Sequence, residues 1–204
     1  AYATIDKGKI RAIARAHSGP VQELEVDNEG QILKTTTLAD DTVISLQLAN
    51  GETGTIQNFR PHHKSQISVD ATASGPRLPL PESWSTALFD AQSWNGPSGL
   101  GVLAINDSSY IYPLPRIAPI KSPGTYSLPL LIAAAIALEN FTPEDPLIRS
   151  YLIDSLSEIE GVNIVAANSK ALAHKISLSV EGLAGEQLVR ALAKNGIDAD
   201  RKST

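Results

Sequence analysis

The sequence predicts an α/β protein with a mostly parallel sheet, followed by a small α+β domain at its C-terminal end. Up to residue 141, short β-branched and apolar segments alternate with helical or long crossing segments. That alternation is typical of parallel strands joined by crossovers. Beyond this point, short strand-like segments mix with amphipathic helices. We therefore predict a large domain over residues 1–141 and a small C-terminal domain over residues 142–204.

The large domain begins with a predicted helix. Residues 7–17 place Ile10, Ile13 and Ala14 at helical spacing, and a Ser-Gly-Pro sequence at 18–20 ends the helix. Alternating or continuous apolar runs then predict strands, and an Asp-Asn-Glu-Gly turn follows the first of them. These predicted strands span residues 21–26, 42–48, 67–69, 88–89 and 102–105.

A helix rich in alanine, leucine and isoleucine is predicted at residues 129–141, next to the domain boundary. Because it is apolar on nearly all sides, we expect it to be buried between the two domains. In the helix that follows, Thr142 is the predicted N-cap and Pro143 the first helical residue. The rest of the small domain contains predicted strands at 161–166 and 174–180 and an amphipathic helix at 185–194.

Composition and charge exclude several classes of protein. The net charge of −5 and the pI near 5.4 argue against a nucleic-acid-binding surface, which needs clustered cations. Lys9, Arg11 and Arg15 share one helical stretch, and we interpret them as a solvated face. The longest apolar run, residues 128–138, is shorter than the ~20 residues that a membrane span needs. We therefore expect neither nucleic acid nor a membrane as a partner.

Cysteine and methionine are both absent from the sequence. Without cysteine the chain has no disulfide, no thiolate metal site and no thiol nucleophile. Since translation products begin with methionine, we expect the sequence to be part of a longer chain. No signal-peptide pattern opens it, and we expect a cytoplasmic protein.

Several motifs follow one another along the chain. A strand at residues 41–46 leads into Asn50-Gly51-Glu52-Thr53-Gly54-Thr55-Ile56-Gln57, and Val69-Asp70-Ala71 ends a later strand. Next comes Asp90-Ala91-Gln92-Ser93-Trp94-Asn95-Gly96-Pro97-Ser98-Gly99-Leu100-Gly101. The remaining motifs are Ser122-Pro123-Gly124-Thr125 with Pro129, and residues 177–197.

In order and spacing these motifs resemble cysteine desulfurases and the wider class V aminotransferase family, which are fold-type I pyridoxal-phosphate enzymes. The resemblance implies a partial fold-type I large domain with the small C-terminal domain, pyridoxal phosphate as cofactor, and a homodimer. It covers only the later part of the family's length. The region that supplies the family's phosphate loop has no counterpart here, and neither does the desulfurase's persulfide cysteine.

The resemblance assigns cofactor-site positions to four residues. Asp70 matches the aspartate that pairs with the pyridine nitrogen and makes the ring an electron sink. Alternatively, it is a strand-end aspartate satisfied by nearby backbone N–H groups. Ser93 stands where the family has its Schiff-base lysine, and a hydroxyl cannot form an imine. Gln92 replaces the phosphate-binding histidine, and Asp90 replaces a phosphate-binding serine. Asp90 and Gln92 can instead form a local hydrogen-bonded turn, which we prefer.

Other positions also depart from the family's pattern. Gly51 replaces a cofactor-contacting asparagine, and Ala73 replaces a glutamine that binds the ring's phenolic oxygen. Thr125, with Gly124, either contacts phosphate across a dimer interface or caps the helix that follows.

Groups outside these motifs offer no replacement chemistry. We expect His62, His63 and Lys64 to lie in a solvated loop and not to form a metal site, because adjacent histidines point to opposite sides of a strand. We interpret His17 and His174 as isolated positions. Ser93 as a nucleophile would need a base, and the sequence identifies none.

The sequence therefore leads to a hypothesis with alternatives. The first is a desulfurase-like protein that has lost Schiff-base catalysis and acts through binding or regulation. The second is an active pyridoxal-phosphate desulfurase or aminotransferase acting on an amino acid, completed by further sequence or another subunit. The third is a domain that dimerises with an active relative and regulates it.

Overall fold

A computed structural model describes residues 1–33, 38–39, 42–59, 65–106 and 127–201. Strands and helices within these ranges are numbered in chain order. The strands are β1 (Tyr2–Ala3), β2 (Glu23–Leu24), β3 (Val43–Gln47), β4 (Gln66–Asp70), β5 (Trp84–Asp90), β6 (Gly101–Ile105), β7 (Val162–Ile164) and β8 (Leu178–Val180). The helices are α1 (Gly8–Ala16), α2 (Leu128–Glu139), α3 (Pro146–Ser157) and α4 (Gly185–Lys194).

The central sheet has the order β3-β4-β5-β6. β3, β4 and β5 are parallel, and β6 runs antiparallel to β5. Alternate residues point to one face and form the core, because successive side chains on a strand face opposite ways. The fully or nearly fully buried members of this core include Ile44, Leu46, Ile67, Val69 and Ala87. The prediction of a mostly parallel α/β sheet is confirmed.

β1 belongs to a separate two-stranded sheet, but Ala1, directly before it, hydrogen-bonds to β3. The amino group of Ala1 donates to the Val43 carbonyl at 2.6 Å, and the Ser45 N–H donates to the Ala1 carbonyl at 2.8 Å. β1 also pairs in parallel with the short β2. The helix predicted at residues 7–17 is confirmed as α1, which therefore starts immediately beside the carboxyl end of the sheet. The strand predicted at 21–26 is shortened to β2.

Helix α2 forms where a helix was predicted, but its expected burial is wrong for the described residues. Of its side chains only Ala134 is buried, and Ile132 and Ile136 are 51% and 55% exposed. One stripe of the helix packs on the turn after β5, where the Trp94 Nε1–H donates to the Ala134 carbonyl at 3.0 Å. A helix that is apolar all round has no preferred face, so its sequence could not show that a single stripe would be covered.

The predicted start of the next helix is also wrong. Asp145, not Thr142, is the N-cap of α3, since its carboxylate accepts the Leu147 N–H at 2.9 Å. Pro146 occupies the first turn, where a missing N–H costs nothing. Thr142-Pro143 and Asp145-Pro146 both match the cap-proline pattern, and the second pair forms the start of α3.

The remaining elements form a small α+β unit. β7 and β8 pair antiparallel, and α3 packs on β7. α4 occupies the predicted residues, and Asn195 follows it as the C-cap. Within the described residues, no helix is both long and apolar enough to cross a membrane.

We expect Trp94→Phe to lower the free energy of unfolding by about 1–2 kcal/mol, because it removes the indole N–H that donates to the Ala134 carbonyl and leaves part of the buried ring site unfilled. Urea denaturation measures the change. Trp84→Phe is the matched control, since it alters the chain's other tryptophan without touching this hydrogen bond. Equal losses in the two variants would contradict the assignment.

Candidate functional site

The candidate site lies at the carboxyl end of the parallel strands. Gln47 at the end of β3 is paired with Asp70 at the end of β4, and Asp70 is in turn paired with Leu88 on β5. Ligands of open α/β sheets bind outside the carboxyl ends of the strands. The turn containing Ser93 starts directly after β5, so the sheet brings Asp70 and this turn to the same edge.

Asp70 is engaged by other side chains of this chain. Its Oδ1 accepts the Thr72 N–H at 2.9 Å and the Thr72 hydroxyl at 2.6 Å. Its Oδ2 pairs with Lys7 Nζ at 3.1 Å, and the same ammonium donates to Thr72 Oγ1 at 2.5 Å. Asp70 is therefore a strand-end aspartate held by a local N–H, and it also has a cationic partner that the sequence did not indicate. Lys7 is 65 positions from Thr72, so no local pattern could reveal this contact.

Asp6 is buried beside this pair. It is 4% exposed, its Oδ2 accepts the Ala3 N–H at 2.9 Å, and its Oδ1 has no partner among the described residues. The pKa of Asp6 is raised to about 6, chiefly by burial and also by the charge of Asp70, against the lowering effect of the Ala3 N–H. The site thus contains one carboxylate paired with a cation and a second, buried carboxyl group whose pKa is raised.

The loop after β3 is closed by its own asparagine. Asn50 Oδ1 accepts the N–H groups of Glu52 and Thr53, and its Nδ2 donates to Gln47 Oε1 at 3.2 Å. A methyl group at Gly51 would stand 3.9 Å from both the Ala73 methyl and Gln47 Nε2. Gly51 and Ala73 are therefore neighbours in space. Neither has a side chain that can form a hydrogen bond.

Ser93 lies in a single helical turn at Ala91–Trp94. Its hydroxyl donates to the Asp90 carbonyl at 2.6 Å, and the Asp90 carboxylate accepts the Gln92 N–H at 3.0 Å. Asp90 and Gln92 thus form the local hydrogen-bonded turn that we preferred from the sequence. Gly75, at φ +53°, packs so closely that a Cβ there would collide with Ser93 Oγ. The serine side chain is consequently fixed on both sides.

Arg77 links this turn to the C-terminal part of the chain. Its Nε and Nη2 donate to the two carboxylate oxygens of Glu144 at 2.7 and 2.5 Å, and its Nη1 donates to the carbonyl of Ser93. The guanidinium also lies over the Phe141 ring, 4.7 Å from its centroid. The hydrogen bonds from Arg77 lower the pKa of Glu144 to about 2.

His174 also belongs to this cluster, so its interpretation as an isolated position is wrong. Its Nδ1 lies 3.6 Å from Glu144 Oε2, and burial lowers the pKa of the imidazole. Folding of the C-terminal unit onto the sheet brings the two residues together, and their separation in sequence concealed it. His174, Glu144 and Arg77 are therefore polar residues of the site that sequence reasoning missed.

Other candidates from the sequence lie outside the described residues: Gly124, Thr125, His62, His63 and Lys64. Within the described ranges, no group of three histidine, aspartate or glutamate side chains could hold a metal ion.

No protein-family model matches the sequence, and no curated protein matches it. Solved structures do match the fold. A NifS-like protein superposes with a TM-score of 0.76 at 22% identity, covering 97% of this chain and 62% of its own. A NifS-like protein from Rickettsia africae gives 0.77 at 15% identity, with 99% and 63% coverage. The cysteine desulfurase CsdA from Escherichia coli gives 0.74 at 14% identity, with 97% and 60% coverage.

The chain thus has the fold of NifS-like proteins and cysteine desulfurases, as the motifs predicted. At these identities the likeness establishes the fold alone. The chain spans about 62% of the length of the NifS-like structures, which agrees with a partial large domain.

The stability of the chain should fall as pH rises from about 4 to about 6. Over this interval the folded chain keeps a proton on Asp6, whose folded pKa is about 6, that the unfolded chain has lost near 3.8. The slope approaches 1.4 kcal/mol per pH unit, about 3 kcal/mol in all. The Asp6→Asn variant should lose this pH dependence of the free energy of unfolding, as measured by denaturation across pH. The control Asp154→Asn, which removes an exposed carboxylate, should keep it. An unchanged slope in Asp6→Asn would contradict the assignment.

Arg77→Lys should destabilise the chain by about 2 kcal/mol, because an ammonium cannot bind both Glu144 oxygens and the Ser93 carbonyl in one plane. Thermal and urea denaturation measure the loss. The control is Arg190→Lys, which changes an exposed i,i+4 pair with Glu186 and should stay within about 0.5 kcal/mol. If Arg77→Lys and Arg190→Lys lost the same amount of stability, the Arg77 contacts would contribute no more than an exposed surface pair.

Proposed function

We propose that this chain is a cysteine-desulfurase-like scaffold without Schiff-base catalysis, which acts through binding or regulation. Ser93 carries the proposal. The resemblance aligns it with the family's lysine, and its hydroxyl is committed to the Asp90 carbonyl while Gly75 packs against it. A hydroxyl cannot form an imine, and this one is not available as a free nucleophile.

The surrounding residues do not fit a covalently held pyridoxal phosphate. Gly51 and Ala73 offer no side-chain donor for the ring, and the ammonium of Lys7 pairs with Asp70. Asp90 would stand near the phosphate as a second anion. Like charges 4 Å apart repel by about 4 kcal/mol at an effective dielectric constant near 20. Within the described residues, the Ser93 position therefore offers no covalent anchor, and Asp90 opposes the phosphate.

The alternative is an active pyridoxal-phosphate desulfurase or aminotransferase acting on an amino acid. Asp70, at the carboxyl end of β4, is the observation that favours it. The chain spans about 62% of the NifS-like structures, so the activity of a longer protein or of a complex remains a separate proposal. That enzyme would need a lysine from outside the Ser93 turn.

A regulatory role would require a partner surface. Apolar side chains of α2 and α3, such as Ile132, Ile136 and Tyr151, are more than half exposed. Both a homodimer and a complex with an active relative could use these residues.

We also propose that the protein is cytoplasmic, because of its resemblance to cysteine desulfurases.

The chain purified from its source cells should be colourless and should yield no pyridoxyl-lysine peptide after borohydride reduction and peptide mapping. It should also release no sulfide from cysteine and transfer no amino group. CsdA, treated in parallel, is the positive control. Sulfide release, amino transfer or a pyridoxyl adduct on a lysine of this chain would overturn the proposal.

A further inference from the structure

The Asp70 carboxylate is satisfied from within the chain on both of its oxygens. Thr72 donates twice to Oδ1, and Lys7 Nζ lies 3.1 Å from Oδ2. The Asp70 side chain is only 13% exposed. Little of it is left for a ligand to approach.

A protonated pyridine nitrogen would pair with the Asp70 carboxylate, which already pairs with the Lys7 ammonium. Both are N–H cations, and both are stabilised by an adjacent carboxylate through a charge-assisted hydrogen bond. The ammonium neutralises the carboxylate before any ring arrives. It would also repel a second cation at this position, because like charges disfavour each other's charged form.

We propose that Lys7 is a built-in substitute for a ring nitrogen: its ammonium occupies Asp70 and excludes pyridine-type ligands from the sheet edge. The inference rests on the proposed function and assigns Asp70 a new role in it. The carboxylate holds the start of α1 against the end of β4, since Lys7 immediately precedes α1 and also binds Thr72.

The position of Lys7 supports this assignment. Ala1, directly before β1, hydrogen-bonds to β3. The Lys7 contact fixes the other end of the same segment, four positions after the end of β1. Asp6 lies between these ties and is buried. The charges of Asp70, Arg11 and Lys7 all act on its pKa, so the loss of Lys7 would remove one cation that offsets the two carboxyl groups.

A double-mutant cycle tests the contact itself. Lys7→Met should lower the melting temperature of the chain by about 1–3 °C, and should have little effect in an Asp70→Asn background. Lys9→Met, which removes an exposed lysine two positions away, is the matched control and should show no dependence on Asp70. Additive effects of Lys7→Met and Asp70→Asn would overturn the inference.

Ligand binding tests the exclusion. Pyridoxine carries the pyridine ring without an aldehyde or a phosphate, so it reports on the ring-nitrogen position and avoids repulsion by Asp90. Lys7→Met should bind it about 10-fold more tightly than the unmodified chain, by NMR titration, and Asp70→Asn should abolish the gain. An affinity that Lys7→Met leaves unchanged, including no detectable binding to either protein, would overturn the inference.

The two proposals fail in different experiments. Sulfide release or amino transfer contradicts the non-catalytic proposal and leaves the coupling of Lys7 to Asp70 to be judged by the cycle. Additive effects in the double-mutant cycle contradict the role of Lys7. The non-catalytic proposal then still stands, because Ser93 has no group that can form an imine. A pyridoxyl adduct on Lys7 itself would overturn both.

Discussion

The parallel register of β3, β4 and β5 is the constraint on which the rest of the structure depends. It aligns Gln47 with Asp70 and Asp70 with Leu88, so the loops after these strands meet at one edge. A slip of one residue would turn the buried set of a strand to the other face. The apolar core, which includes Ile44 and Val69, therefore fixes which polar groups meet at the edge. The geometry of the site is a consequence of core packing.

Arg77 extends this constraint to the C-terminal part of the chain. One planar guanidinium contacts Glu144, the Ser93 carbonyl and the Phe141 ring. Lysine could not make these contacts together, because its ammonium is a point charge without a rigid fork. The turn that would carry catalysis in the family is thus held by the same residue that docks the C-terminal unit. A change in that docking would act directly on the Ser93 turn.

The strands and helices were largely predictable because burial imposes a period of two or 3.6 on the apolar residues. β4 illustrates this with its alternation of buried and exposed residues. In α1 and α4 the less exposed residues, such as Ile10 with Ala14 and Leu188 with Leu192, stand at helical spacing. The errors concern information that is not local. The exposure of α2 depends on what covers it, and the contacts of His174 and Lys7 join residues far apart in sequence. The cap at Asp145 was missed because a second cap-proline pair, Thr142-Pro143, precedes it. Motif resemblance predicted the fold, and the strand pattern predicted Asp70 at a strand end, but neither indicated the internal partners of Asp70 and Ser93.

Those internal partners decide how the site is interpreted. A binding site keeps donors and acceptors free and oriented until its ligand arrives. Among the described residues, three carboxylates at the sheet edge are engaged within the chain: Asp70 with Lys7, Glu144 with Arg77, and Asp90 with the Gln92 N–H. The buried exception near Asp70 is Asp6 Oδ1, and burial raises the pKa of its carboxyl group. Fold alone does not determine activity. An edge whose charges are already compensated favours a scaffold whose binding takes place on other surfaces, and the exposed apolar residues of α2 and α3 are where such binding has most to gain.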